Sequence, residues 1–249
     1  VNGKYHGIGQ LTCLGYSEYN GEFRGGSKCG YGKLSFINQD VVSMEGVWND
    51  NILTCTCGLI KYKDGSYYKG AIENFERTGY GEYYFSNGNI YRGNWLNNVQ
   101  HGSGRFIVKD NMEFITFWEN GIPHPPYKIK CPDGSSYYGV CNEFFMPHGY
   151  GIKKYADGSV YKGIWANGMR NGYGMHLYPS RFNDMELRYM TILENNIKIE
   201  HKCSDYYCGE WVDDKKNGVG RHYYSLGSFV LEYLWNDDVP LFVTRRYYY

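Results

Sequence analysis

The sequence carries no surplus of charge: 26 basic and 26 acidic residues cancel. A protein that binds duplex nucleic acid displaces counterions with a basic footprint, so this balance argues against a nucleic-acid partner. Proline is scarce, at 7 of 249 residues, which excludes a proline-rich linker or a collagen-like chain. No apolar run approaches the ~18 residues that a membrane-spanning helix needs. No secretory leader is visible, although a chain that begins at Val1 is expected to lack its true N-terminus. No asparagine lies in an Asn-x-Ser/Thr sequon. Together with the irregular spacing of the eight cysteines, this favours free thiols in a reducing cytoplasm over a disulfide framework.

Catalytic signatures are missing as well. There is no Gly-x-Ser-x-Gly elbow, no His-Glu-x-x-His and no kinase motif. Gly-x-Gly pairs abound, but none extends to Gly-x-Gly-x-x-Gly and none precedes Lys-Ser/Thr. No catalytic residue and no cofactor is therefore expected. His201, Cys203 and Cys208, and the pair Cys55 and Cys57, are soft donors, yet none forms a Cys-x-x-Cys set, so no metal site is expected either. His6, His101 and His148 each precede a Gly-x-Gly pair and read as a structural repeat position.

What the chain does have is glycine and tyrosine, 33 and 28 residues. Aligned against itself it repeats Tyr-x-Gly-x-Trp, about six residues, then Gly-x-Gly and an aromatic. Tyr91, Gly93, Trp95, Gly102 and Gly104 show the unit. Tyr161, Gly163, Trp165, Gly172 and Gly174 repeat it, as do Tyr207, Gly209, Trp211, Gly218 and Gly220. Tyr68, Gly70, Gly79 and Gly81 match with Ile72 in the Trp slot, and Tyr19, Gly21, Gly30 and Gly32 match with Phe23 there. Weaker copies start at Met44, Phe114, Tyr137, Tyr189 and Leu231. Gly7 and Gly9 read as the second half of a truncated copy. Copies start at 44, 68, 91, 114, 137 and 161, 23 or 24 residues apart, and a fixed period of this size predicts one continuous stacked array over 1–249, of about ten repeats, with degenerate copies near 114–136, 179–206 and 231–249.

Residues two apart share one face of a strand, so each unit predicts a β-hairpin with aromatics and glycines facing the same way. Rings of one repeat are expected to cover glycines of its neighbours. Asp64-Gly65, Asn87-Gly88, Asp133-Gly134 and Asp157-Gly158 mark turns between repeats. The predicted fold is all-β: an elongated, single-layer antiparallel sheet of tandem hairpins forming an open-ended, solenoid-like trough. At about 10 Å per repeat it would run on the order of 100 Å.

Tyr-x-Gly-x-Trp followed by Gly-x-Gly at this period resembles the MORN (membrane occupation and recognition nexus) repeat, from about Gly3 to Trp235. The resemblance implies a twisted antiparallel sheet with a groove. It also implies the company such arrays keep: cortical cytoskeletal scaffolds, junctional proteins, and arrays attached to lipid kinases or lysine methyltransferases. It places the chain in the cytoplasm, on the cytoskeleton or on the cytoplasmic face of a membrane. The expected partner is a protein, through a helical or extended segment, and the expected groove residues are Tyr68, Tyr91, Trp95, Tyr161, Trp165, Tyr207 and Trp211. Anionic lipid is a second candidate ligand, because Lys33, Arg105, Lys128 and Arg221 recur after the second glycine, although Glu82 fills the same slot. A regulatory array of a larger enzyme is the alternative role. At the C-terminal end Pro240 limits open-ended pairing, while Leu241, Phe242 and Val243 offer an apolar contact for a two-fold homodimer.

Overall fold

Alternating polar and apolar residues, broken every ten or so positions by Asn, Asp and Gly, leave the chain with strands alone. The computed structural model describes residues 3–179, 189–194, 197–224 and 229–248, and among them every regular element is a β-strand. By its internal contacts the chain divides into two compact units, Val1–His124 and Pro125–Tyr249. In each, consecutive strands pair antiparallel.

The expected glycine row is present in both units. Gly58, Gly70, Gly81, Gly93 and Gly104 lie side by side on successive strands of the first unit. In the second the row is Gly139, Gly151, Gly163, Gly174, Gly209 and Gly220. The two glycines of each Gly-x-Gly pair have different reasons to be there. Gly102 sits at a bulge with φ +72, a conformation that a side chain rarely adopts. Gly104 has ordinary φ, but a Cβ there would lie 2.4 Å from the Tyr91 hydroxyl.

The tight turns are not the Asp-Gly pairs. Those pairs lie in longer loops, where Tyr62 N–H bonds Ser66 O and Asp64 Oδ1 accepts from Ser66 N–H. The two-residue turns follow the Trp slot instead. Asn97 and Asn98 have φ of 48° and 68°, Asp213 and Asp214 47° and 67°, and Asp237 and Asp238 49° and 66°. Two positive φ values in succession are the type I′ geometry that suits the right-handed strand twist. At Asn51, Asn98, Asp214 and Asp238 the Asx side chain also stitches the turn to the preceding hairpin. Arg77 N–H donates to Asn98 Oδ1 at 2.9 Å while Asn98 N–H donates to Arg77 O at 3.1 Å. Asp214 and Arg170 repeat the pair. Asn98→Gly keeps the φ but removes the acceptor, and should cost about 1 kcal/mol by denaturant titration. Asn98→Asp should be close to neutral.

Three weaker copies depart from the pattern in different ways. Cys55 and Cys57 stand where a Gly-x-Gly pair is expected; Cys55 takes the first glycine's place, opposite Ile72, but Cys57 does not take the second, because Gly58, one residue later, pairs with Gly70 across a bulge. Thr116 takes a glycine place opposite Gly104, is buried, and donates its hydroxyl to His124 O. Near 179–206 the row of glycines passes directly from Gly174 to Gly209. Tyr189–Glu194 pairs instead with the first part of Ile197–Val212, as Tyr189↔Lys202 through Glu194↔Ile197. A segment without glycine has no seat for a covering ring, so it does not take a place in the row.

Candidate functional site

Each tyrosine of the repeat lies flat across the two glycines of its own repeat, not across those of a neighbouring repeat as the pattern suggested, because the returning strand of the same hairpin brings the second glycine beside the first. Cβ atoms built at Gly163 and Gly174 would stand 2.6 and 2.2 Å from the Tyr161 hydroxyl. That hydroxyl donates to Ile164 O, and Tyr91 and Tyr137 donate likewise to Asn94 O and Val140 O. The tryptophan of each repeat meets the tyrosines edge-on. Trp211 stands 5.5 Å from Tyr161 and 5.3 Å from Tyr207, at 86° and 88°. Trp95 similarly contacts Tyr68 and Tyr91, and its Nε1–H donates to Gly81 O. Edge-to-face contact sets the positive ring edge on a negative face and adds to burial.

All seven rings expected to line a groove belong to this ladder. Tyr68, Tyr91, Trp95, Tyr161, Trp165, Tyr207 and Trp211 share one face of their strands, and none exceeds 4% exposure. Burial raises the phenol pKa of Tyr68, Tyr91, Tyr161 and Tyr207 from 10. These rings are the floor of the face. Solvent meets a second row, at the two and four positions after the second glycine.

In the second unit this row is a continuous stack. Centroids run Tyr155 to His176 at 5.8 Å, His176 to Tyr178 at 4.8 Å, Tyr178 to His222 at 5.5 Å and His222 to Tyr224 at 4.3 Å. Tilts between successive rings stay between 15° and 33°. The first unit has a shorter counterpart in Tyr62, Tyr83, Phe85 and Phe106. There Asp40, Tyr62, Lys63, Asp64, Ser66 and Tyr83 line a recess of about 240 Å³. The sequence pattern noted an aromatic at these places but gave no sign that they stack.

A second feature that the pattern missed is a cation over the tryptophans. Arg77 lies 4.5 Å from the Trp95 centroid, Arg170 4.1 Å from Trp211 and Lys216 4.6 Å from Trp235. Its signal was a basic residue two places before the Gly-x-Gly pair. Arg170 also bonds Asp214 at 3.0 Å, whereas Lys216 has no carboxylate in ion-pair contact among the described residues.

Burial governs the titration of the groups on this face. Burial pushes Tyr178 up to about 12 and Cys141 up to about 12. Burial, reinforced by the Lys216 charge and opposed by Asp205, takes His222 down to about 4. Between pH 6.5 and 4 the unfolded chain would bind a proton that folded His222 refuses. Stability contributed by the neutral ring is therefore full above pH 6.5 and lost as pH falls toward 4. The expected loss from pH 7 to 4.5 is on the order of 1–2 kcal/mol, allowing for solvent screening. Melting curves should show it in the parent chain and show less of it in His222→Phe.

Among the described residues no three His, Cys, Asp or Glu side chains gather in a metal-binding group, and seven cysteines are unbridged. The side chains of His201 and Cys203 lie outside the described residues. On the opposite face of the sheet, Arg105 and Arg221 are ion-paired to Glu113 and Glu232. Tyr31, Tyr80 and Tyr173, between the glycines of their pairs, are about 60% exposed there. At the C-terminal end Val239–Tyr248 pairs with Phe229–Asn236, and Leu241, Phe242 and Val243 are 54, 57 and 50% exposed. No helix of the described residues is long and apolar enough to cross a membrane.

Comparison with known proteins agrees with this architecture. The family pattern described as "MORN repeat" matches residues 1–13, 19–41, 76–90, 91–111, 146–160, 161–181 and 207–228, more than half of the chain. Among solved structures, the wild-type TCP10 domain of Danio rerio CPAP is similar at 11% identity and TM-score 0.52, covering 97% of this chain and 100% of that one. The TCP domain of Drosophila melanogaster SAS-4 (dCPAP), solved with a proline-rich motif of Ana2 (dSTIL), is 13% identical with TM-score 0.36. That match covers 78% of this chain and 90% of that one. At 11% identity the likeness to the TCP10 domain concerns the fold alone. No curated protein sequence matches the chain.

Proposed function

The chain belongs to the MORN repeat family, and from that premise we propose that it is a non-catalytic scaffold that binds a protein partner along its ladder-bearing face. The observation that carries this reading is the row of half-buried stacked rings, Tyr155, His176, Tyr178, His222 and Tyr224. Flat aromatics with little rotamer freedom bind at low entropic cost and dominate interface energetics. The buried ladder of Tyr161, Trp165, Tyr207 and Trp211, like Tyr68, Tyr91 and Trp95, is the rigid floor that holds such a row in place. A cytoplasmic, cytoskeleton-associated or membrane-cortex setting fits a repeat scaffold of this kind.

The test is capture of partners from the source cells on the purified chain and on Tyr178→Ala/Tyr224→Ala, with circular dichroism confirming that the variant folds. Partners lost from the variant support the reading. An unchanged set of partners would overturn it.

A second reading rests on Leu241, Phe242 and Val243. They are exposed on a strand that only Phe229–Asn236 pairs with among the described strands, and a two-fold contact between copies would cover them. Light scattering at tens of micromolar should give a dimer, reduced to monomer by deleting 239–249. A monomer in both samples would discard this contact.

A further inference from the structure

Among the described residues, the non-glycine positions with left-handed backbone are Asn or Asp, with two exceptions. Phe75 and Phe145 have φ of 69° and 58°. A bulky ring is strained in this conformation, so it persists only where its surroundings hold it. Both stand in the turn of a hairpin whose Trp slot has no aromatic, Ile72 in one and Cys141 in the other. Hairpins with Phe or Trp in that slot carry only Gly, Asn or Asp in the turn. Each turn ring folds back on the repeat before its own. Phe75 meets Trp48 edge-on at 5.7 Å and 65°, and Phe145 meets Tyr127 at 5.7 Å and 83°.

The regular joint between repeats has three parts. A cation two places before the Gly-x-Gly pair lies over the Trp of the next repeat, and the Asx that ends the next turn accepts from that cation's backbone N–H. Lys28, Trp48 and Asn51 form one such set, and Arg77, Trp95 and Asn98 another. At the joint after Trp48 all three parts change together. Leu53 stands in the place of the cation, Ile72 in that of the indole and Phe75 in that of the Asx. Leu53 and Ile72 are fully buried, while Phe75 keeps 37% exposure. Phe75 N–H donates to Leu53 O at 3.3 Å, as Asn98 N–H donates to Arg77 O at 3.1 Å, but a phenyl ring offers no acceptor in return. Trp48 gains from the exchange. Met44 gives it no ring from its own repeat, and Phe75 supplies a second edge beside that of Tyr19.

We propose that Phe75 is a strap that closes this joint in place of an indole, and that the joint of Trp48, Leu53, Ile72 and Phe75 opens ahead of its neighbour at Arg77, Trp95 and Asn98. The strap is held against backbone strain, so letting go relieves part of what the contact gains. The side-chain hydrogen bond that ties the regular turn down is replaced by a half-exposed ring, and weakly tied segments open first. Phe145 over Tyr127 is the same device in the second unit. The strap acts on the sheet and not on a ligand, so it stands apart from the partner reading above.

The experiment uses the full chain and reads urea midpoints and amide hydrogen exchange. In the parent, segments 52–58 and 70–76 should exchange at least tenfold faster than 77–81 and 93–98, which form the regular joint. Equal or slower exchange would overturn the early opening. Phe75→Asn, which relieves the backbone, should nevertheless lower the midpoint and speed exchange of 52–58 and 70–76 further. A midpoint equal to or above the parent's would show that the ring holds nothing. Ile72→Trp alone should also lower the midpoint, because two rings then compete for one place. Ile72→Trp/Phe75→Asn restores the Trp and Asx of the regular joint and should be more stable than the two single changes add up to. Additive changes would show that the turn ring does not stand in for the indole, and would overturn the proposal.

Discussion

Gly93→Val is expected to destabilise the protein by about 3 kcal/mol or more, at the upper end of what overpacking costs. A Cβ at this position would lie 2.6 Å from Gly104 Cα, 2.6 Å from the Tyr91 hydroxyl and 2.8 Å from Ser103 O. Two of those three atoms are backbone. Tyr91 can swing aside, but the paired strand cannot withdraw without losing its hydrogen bonds. Val also has branches that point further into the same crowded space. The control is a glycine of the other kind. Gly158 has φ +87 and nothing within 4 Å of its Cβ direction, so Gly158→Asn, which tolerates positive φ, should stay within about 1 kcal/mol of the parent. Urea titration of the two variants separates the packing role from the turn role. Equal midpoints would show that the row of glycines is not tightly covered.

Trp211→Ala is expected to cost about 3–5 kcal/mol, the range for emptying a large buried aromatic. Trp211 is 2% exposed and touches Tyr161, Tyr207 and His176. Its loss also uncovers Arg170, whose guanidinium lies 4.1 Å from the indole centroid. Trp211→Phe keeps an edge for both tyrosines but loses the indole N–H that reaches Gly174 O, so it should cost about half as much. Chemical denaturation of the three proteins checks the order parent, Phe, Ala. A Phe variant as unstable as Ala would mean that ring shape, not ring contact, decides the fit.

The repeat was legible in the sequence because its parts sit on one parity. Tyr, Gly and Trp two residues apart point the same way in a strand, so the pattern itself contains the face and the fact that rings cover glycines, but not that each tyrosine covers the glycines of its own repeat. The turns were legible only in part. Asp64-Gly65 announces a turn, but the tighter reversal at Asn97-Asn98 has no glycine and depends on asparagine adopting positive φ twice in succession. The register at Cys55 was obscured by one inserted residue, which a bulge absorbs so that Gly58 keeps its place opposite Gly70. For the candidate site, parity told which rings share a face and could not tell their depth. Tyr161 and Tyr178 are both aromatic and on the same face. Tyr161 leans over two glycines and vanishes, whereas no glycine lies under Tyr178 and it stays in contact with solvent. Depth is decided by the neighbours across the sheet, and these are known only once the strands are in register.

This difference in depth is the centre of the account: one ring row holds the sheet together, and the row beside it is left for a partner. Tyr161→Ala and Tyr178→Ala test it most directly, each measured for unfolding free energy and for affinity toward a captured partner. Tyr161→Ala should lose about 3–5 kcal/mol of stability while its folded fraction binds the partner as the parent does. Tyr178→Ala should melt near the parent and lose at least tenfold in affinity. The reverse pattern, a stable Tyr161→Ala that no longer binds and a Tyr178→Ala that binds normally, would contradict the account.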